Sequence, residues 1–150
     1  GKALTGGYLG HAVTVANDRI FAAFYDDNPD HALMHGPTFM GNALACRVAL
    51  ASISLFEEEH TIEKIQRIEE ITRLEMAGFT DPRIREIRIL GGCVCIEVYD
   101  PAVLEGYAAF ARQRGVFSRP FLSYLYAMVP YVISEKELVL DTMKAWFQKD

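Results

Sequence analysis

Glu86-Ile87-Arg88-Ile89-Leu90-Gly91-Gly92-Cys93-Val94-Cys95-Ile96-Glu97-Val98-Tyr99 is the stretch from which the fold can be read. Ile87 and Ile89 alternate with Glu86 and Arg88, the two-residue period of a half-buried strand. Gly91-Gly92 suits a tight turn, and Cys93 to Tyr99 then reads as the return strand of a hairpin. Upstream, Thr61 is placed to cap a helix with Ile62, Ile65, Ile68 and Ile71 or Thr72 on one stripe and Glu63, Lys64, Arg67 and Glu70 on the other. That helix is expected to end near Gly78. Downstream, Asp100-Pro101 combines an N-cap with proline at the first helical position. Val103, Leu104, Tyr107, Ala108 and Ala111 form the apolar stripe of the helix it predicts, and Gly115 is placed to end it.

Two more strands are expected, Val116 to Phe121, interrupted by Arg119, and Tyr124 to Tyr131. Ser134-Glu135-Lys136-Glu137 is a capping box, predicting a last amphipathic helix with Leu138, Val139, Met143, Trp146 and Phe147 on its apolar side. From Thr61 on the order is helix, strand, strand, helix, strand, strand, helix. That is an α/β arrangement with helices packed on a sheet.

Towards the N-terminus the character changes. His11 to Ala16 is short and β-prone, Asn17-Asp18 offers an N-cap to Ile20, Phe21 and Phe24 at helical spacing, and Asp26 to Asp30 is a polar break. Ala43 to Phe56 is alanine-rich and apolar on more than one face, which predicts a helix buried on several sides. The apolar, glycine-rich part gives way to charged, regular sequence near Ser52, so the expected segments are 1–52 and 53–150.

The chain has 150 residues, of which 51% are hydrophobic and 23% charged. This is ordinary for a globular protein with a real core. A net charge of -5 gives no electrostatic case for nucleic acid or an anionic membrane. No run approaches the ~18 to 20 apolar residues of a membrane span. Three cysteines, Cys46, Cys93 and Cys95, with no basic-then-apolar leader, suggest reduced thiols in the cytoplasm. Cys93 and Cys95 share one face of a strand without the second ligand pair of a zinc site, so no metal is expected and they read as buried core thiols. The chain begins at Gly1, without an initiator methionine and already inside a motif, and is expected to be the C-terminal part of something longer.

That motif is Gly1-Lys2-Ala3-Leu4-Thr5-Gly6-Gly7. A lysine among small residues can act as a nucleophilic amine and form a Schiff base with a carbonyl, as pyridoxal phosphate requires. The alternative is a solvated surface lysine, the commoner state of any single lysine. His35-Gly36-Pro37-Thr38-Phe39-Met40-Gly41-Asn42 is a loop whose hydroxyl and amides could hold a phosphate, or a plain turn and cap. Arg119, in an otherwise apolar stretch, needs an anion: a bound carboxylate, or an internal Asp or Glu. Tyr126 reads as packing or as a residue beside that anion.

Taken together, Gly1 to Gly7, His35 to Cys46, and Val116 to Phe121 with Tyr126 to Tyr131 resemble the class III aminotransferases of pyridoxal-phosphate fold type I, in that family's order and at about its spacings. The resemblance covers essentially the whole chain. It implies the end of the large cofactor-binding domain followed by the C-terminal small α/β domain. Lys2 would hold pyridoxal 5'-phosphate and carry the proton between the substrate and the cofactor. Pro37 and Thr38 would reach the cofactor phosphate of the other subunit of a homodimer. Gly36, Arg119 and Tyr126 would line the substrate site, with Arg119 on the carboxylate.

Within the family the resemblance is to the biotin-synthesis branch. It implies amino transfer from S-adenosylmethionine to 8-amino-7-oxononanoate, giving 7,8-diaminononanoate. Other readings are a family member acting on an ω-amino acid or a diamine, and a non-catalytic remnant small domain. Ala43 replaces a common proline, a change a helix accepts readily. Leu122-Ser123 stands where a glycine is common, which would reshape the loop beside the carboxylate. The residues that pair with the cofactor ring and choose the amino donor would lie before Lys2, so the 150 residues alone are expected to be inactive.

Overall fold

The computed structural model of the chain describes residues 1–134 and 139–149, which form two compact units, Gly1–Glu59 and His60–Asp150. In the first unit α1 spans Asp18–Ala22 and α2 spans Ala43–Glu58, with a turn of 3₁₀ helix at Pro29–His31 between them. Each start has its own cap. Asn17 Oδ1 accepts the Ile20 amide at 3.1 Å, Asn28 Oδ1 accepts that of Asp30 at 3.1 Å, and Asn42 Oδ1 accepts that of Ala45 at 3.0 Å. His11 to Ala16 forms no strand; it runs as irregular chain into Asn17.

The several-sided burial expected of α2 is not found. Ala45 and Ala49 are buried, while Leu44, Leu50, Ile53 and Leu55 are exposed. The apolar residues are present, but the unit contains too little other structure to cover them.

In the second unit α3 (Thr61–Met76) leads into β1 (Ile84–Leu90) and β2 (Cys93–Val98), then α4 (Tyr107–Gln113), β3 (Tyr124–Met128) and α5 (Leu140–Phe147). The three strands form one antiparallel sheet in the order β1-β2-β3. Leu90 pairs with Cys93 across the Gly91-Gly92 turn, and Gly91 takes φ 55°, as the expected hairpin requires. The register continues across β2 with Cys95 opposite Tyr126 and Glu97 opposite Tyr124.

Alternation assigns the two faces of the sheet. Val94, Ile96, Val98, Leu125 and Ala127 are buried and join Met76, Leu104, Tyr107, Ala111, Leu140, Met143 and Phe147 in the core. Trp146 closes one side, edge-on to Tyr107 with centroids 5.6 Å apart, its Nε1 donating to the Val103 carbonyl at 3.0 Å. The other face carries Cys93, Cys95 and Glu97. Both thiols are half-buried and Cys46 is exposed, so the cysteines are not the core residues that the sequence suggested. Buried Glu97 is held there by Arg85 at 3.1 Å and Arg88 at 3.0 Å.

Several boundaries differ from expectation. Thr61 is the first residue of α3 rather than its cap; His60 holds the N-cap position in the left-handed conformation, φ 51°, without a side-chain bond to the helix. The helix predicted after Asp100 is split. Pro101–Leu104 is 3₁₀, capped by Asp100, and Gly106 at φ 83° turns the chain before α4. Gly115 does end α4. Its amide reaches the Arg112 carbonyl at 3.0 Å and that of Val116 reaches Ala111 at 2.9 Å, a Schellman pair. Val116 to Phe121 is not a strand: only Phe121 pairs, in a bridge to Tyr124. Pro120 has no N–H to give a ladder, and Arg119 stays outside the core. β3 stops at Met128, before Pro130, rather than at Tyr131. Glu135 to Leu138, including most of the expected capping box, lie outside the described residues. No described helix is long and apolar enough to cross a membrane.

Candidate active site

In the first unit the candidate residues lie on two loops. The Gly1 to Gly10 loop is folded on itself: the Gly6 amide donates to Ala3 at 3.0 Å, that of Tyr8 donates to Thr5 at 3.1 Å, and the buried Thr5 hydroxyl donates to the Leu9 carbonyl. Gly6 at φ 60° and Gly7 at φ 86° make the reversal, a conformation glycine adopts without steric cost. Lys2 enters this loop exposed, its amine without an ion pair or hydrogen bond among the described residues. His11 Nε2 lies 3.8 Å from Cys46 Sγ, tying the loop to the first turn of α2.

The second loop runs from His35 to Asn42. Gly36, Pro37 and Thr38 are exposed, and the Met40 amide closes a turn on the Pro37 carbonyl at 3.0 Å. Because Asn42 already caps α2, a phosphate at this loop would depend on the Thr38 hydroxyl and the turn amides rather than on the helix end. The Thr38 hydroxyl has no hydrogen bond among the described residues. A free primary amine and a free hydroxyl are the donor types that an aldehyde and a phosphate need, so both loops fit pyridoxal phosphate chemically. No hydrogen bond joins Lys2 to Thr38.

In the second unit the structure does bring candidates together. Arg119 and Tyr126 line one cavity of about 410 Å³, with Phe117, Ser118, Met128 and Pro130 among its walls. Arg119 has no ion pair among the described residues. Among the described residues no Asp or Glu pairs with it, so a cation stands on the wall of an otherwise mainly apolar cavity. A carboxylate would be taken up at such a site by the planar guanidinium fork.

Two residues around this cavity carry roles that sequence reasoning did not assign. Ser118 Oγ donates to the Tyr126 carbonyl at 3.3 Å, linking the Arg119 segment to β3. Tyr107, fully buried on α4, places its hydroxyl beside Ser118 without an aligned hydrogen bond, and burial pushes its pKa up while the serine opposes the shift. Ser118 lies within the Val116 to Phe121 stretch, but nothing in that stretch marks its hydroxyl; only the folded arrangement of this segment, α4 and β3 shows the two residues together. A further feature was half visible in the sequence: Leu122 occupies the left-handed region, φ 52°, at the position where glycine was expected.

The class III aminotransferase family model matches residues 1–146. The chain is 36% identical to the adenosylmethionine-8-amino-7-oxononanoate aminotransferase of Corynebacterium glutamicum over 141 residues, covering 91% of this chain and 33% of that protein. It is 36% identical to the enzyme of the same name from Aquifex aeolicus, covering 100% of this chain and 36% of that protein. The crystal structure of the Methanocaldococcus jannaschii enzyme of that name superposes with a TM-score of 0.78 at 29% identity, over 97% of this chain and 36% of that one. Acetylornithine aminotransferase from Elizabethkingia anophelis shares the fold, with a TM-score of 0.74 at 23% identity, over 98% of this chain and 39% of that one. The chain thus spans about a third of the length of these relatives.

Proposed function

The chain belongs to the class III aminotransferases, and from that premise we propose that its protein transfers an amino group from S-adenosylmethionine to 8-amino-7-oxononanoate. The carrying observation is the cavity of the second unit, which Arg119 lines together with Tyr126 and where Arg119 has no ion pair among the described residues. The names of the relatives supply the substrate, and the cationic wall suits its carboxylate.

Class III aminotransferases use pyridoxal 5'-phosphate, which when bound supplies the electron sink for removing a proton next to the transferred nitrogen. Lys2 would hold the cofactor through Nζ and, when released from it, would accept and return that proton. Pro37, with its fixed φ, would present the Thr38 hydroxyl to the cofactor phosphate of a partner subunit in a homodimer. Gly36, lacking a side chain, would let the substrate pass close to the backbone. Arg119 would bind the substrate carboxylate and Tyr126 would flank it, so the substrate's position is fixed at the end remote from the reacting carbon.

We assign residues 1–52 to the end of the large domain and 53–150 to the small domain. Three free cysteines suit a reducing compartment, and the cytoplasm is the proposed location. The isolated 150 residues would lack the remainder of the cofactor site and would not turn over.

The test is steady-state kinetics of the natural full-length protein with S-adenosylmethionine as donor. Formation of 7,8-diaminononanoate is expected. Arg119→Ala should raise KM for 8-amino-7-oxononanoate by about 10 to 100-fold, the equivalent of one charge-assisted hydrogen-bond pair. Failure to accept S-adenosylmethionine, with turnover on an ω-amino acid or diamine instead, would move the protein to another branch of the family.

A further inference from the structure

Ser118 stands between the buried core and the cavity wall. Its Oγ donates to the Tyr126 carbonyl at 3.3 Å, and the fully buried Tyr107 hydroxyl lies beside it. A serine hydroxyl has one donor and two acceptor sites, so Oγ can receive the Tyr107 proton while giving its own to Tyr126. The Tyr107 O–H makes no hydrogen bond as it stands, a costly state for a buried polar group, and Ser118 Oγ is the acceptor beside it.

The segment that carries Arg119 is held at both ends. The Val116 amide donates to Ala111 at 2.9 Å, and that of Phe121 donates to Tyr124 at 2.8 Å. Between those points no backbone hydrogen bond fixes it among the described residues, and Arg119 itself contributes no polar contact there. The middle of the segment is tied to the sheet through Ser118. Ser118 is half-buried and its neighbour Arg119 is exposed, and both line the cavity.

We propose that Ser118 is a positioning residue for Arg119. Ser118 Oγ, bonded to the Tyr126 carbonyl and beside the Tyr107 hydroxyl, sets the register of the 116–121 segment against β3 and so holds Arg119 on the wall of the cavity that Tyr126 shares. The inference rests on Arg119 being the carboxylate anchor. Its test separates the two ideas by using the full-length, cofactor-loaded protein and a ligand that cannot react, nonanoate.

Ser118→Ala is expected to raise the Kd of nonanoate and KM for the carboxylate-bearing substrate together, about three- to tenfold, with kcat within about twofold, because ground-state binding alone is affected. Ser118→Thr keeps the hydroxyl and should keep wild-type values. Tyr107→Phe removes one oxygen and leaves no orphaned donor, so it should fold even if Ser118→Ala does not, and should weaken nonanoate in the same direction by a smaller factor. The proposal is overturned if Arg119→Ala weakens nonanoate while Ser118→Ala and Tyr107→Phe leave it unchanged. It is also overturned if Ser118→Ala and Ser118→Thr weaken it equally, since the hydroxyl would then be irrelevant. If Arg119→Ala leaves nonanoate binding unchanged, the anchor reading itself fails.

Discussion

Glu69 Oε2 accepts the Gly91 amide at 2.6 Å, joining the middle of α3 to the tip of the β1–β2 hairpin. Arg73 completes the link, bonding the other carboxylate oxygen at 2.7 Å and the Ile89 carbonyl at 2.7 Å. The Gly91 amide, and secondarily Arg73, hold the Glu69 carboxyl below its usual 4.5. A lowered folded-state value means that the stabilisation is fully present above 4.5 and fades as pH falls through the lowered value. Glu69→Gln should therefore lower Tm at pH 7, and the gap to wild type should close on acidification below pH 4.5. Melting curves across that range check it; a gap independent of pH would show that the ionised carboxylate is not what matters.

Gly91 meets a second demand at the same corner. A Cβ there would lie 2.8 Å from Ile65 Cγ2, and φ is 55°. Gly91→Ala is expected to cost about 1–2 kcal/mol from the left-handed backbone alone, with the contact added. Ile65→Ala would remove the contact but not the backbone strain. In urea titrations Gly91→Ala should thus be less harmful in an Ile65→Ala background, though still destabilising.

These two residues also show what the sequence made legible. The hairpin could be read because strand alternation and a Gly-Gly turn are local signals, and the structure follows both. The split between Leu104 and Tyr107 could not, because Val103, Leu104, Tyr107 and Ala111 face the core on either side of Gly106 and keep a helical period across the break. Val116 to Phe121 reads as a strand from its apolar content, but Pro120 has no N–H for a ladder and only Phe121 pairs. At the candidate site, the resemblance implied that Arg119 and Tyr126 both lie near the substrate, and the two line one cavity. Ser118 and Tyr107 could not be paired, since their relation depends on α4 packing behind the segment, a contact with no signature in either stretch alone.

Arg83, in the turn just before β1, anchors the end of α5. It donates to Asp81 Oδ1 at 2.7 Å and to the Phe147 carbonyl, with its guanidinium 5.5 Å from the Phe147 ring centroid. Arg83→Met keeps the apolar stem but leaves the Asp81 carboxylate and a helix-end carbonyl without this donor. The expected loss is about 1–2 kcal/mol, read as a lower urea midpoint with an unchanged m-value. Arg83→Lys should recover only part of it, because an ammonium lacks the planar fork that serves both acceptors. Hydrogen exchange should show the last turn of α5 opening first in both variants.

Leu122 is the residue whose backbone works against its side chain. The Phe121 and Tyr124 amides each donate to the other's carbonyl, at 2.8 and 2.9 Å, closing a two-residue turn. Leu122 takes its first position at φ 52°, where a hairpin favours glycine. The left-handed conformation costs a leucine about 1–2 kcal/mol, and the residue is 69% exposed, so little burial offsets that. Leu122→Gly removes the strain but adds about 0.5–1 kcal/mol of backbone entropy to the unfolded chain. The difference, about 0 to 1.5 kcal/mol, predicts a modest net stabilisation. Leu122→Ala should bring no such gain, because alanine keeps the Cβ that causes the strain. Since the turn follows Arg119 by only two residues, the glycine variant should raise Tm while loosening the segment, and nonanoate Kd in the full-length protein should rise with it. A higher Tm with tighter nonanoate binding would mean that the strained turn holds Arg119 away from the carboxylate rather than towards it.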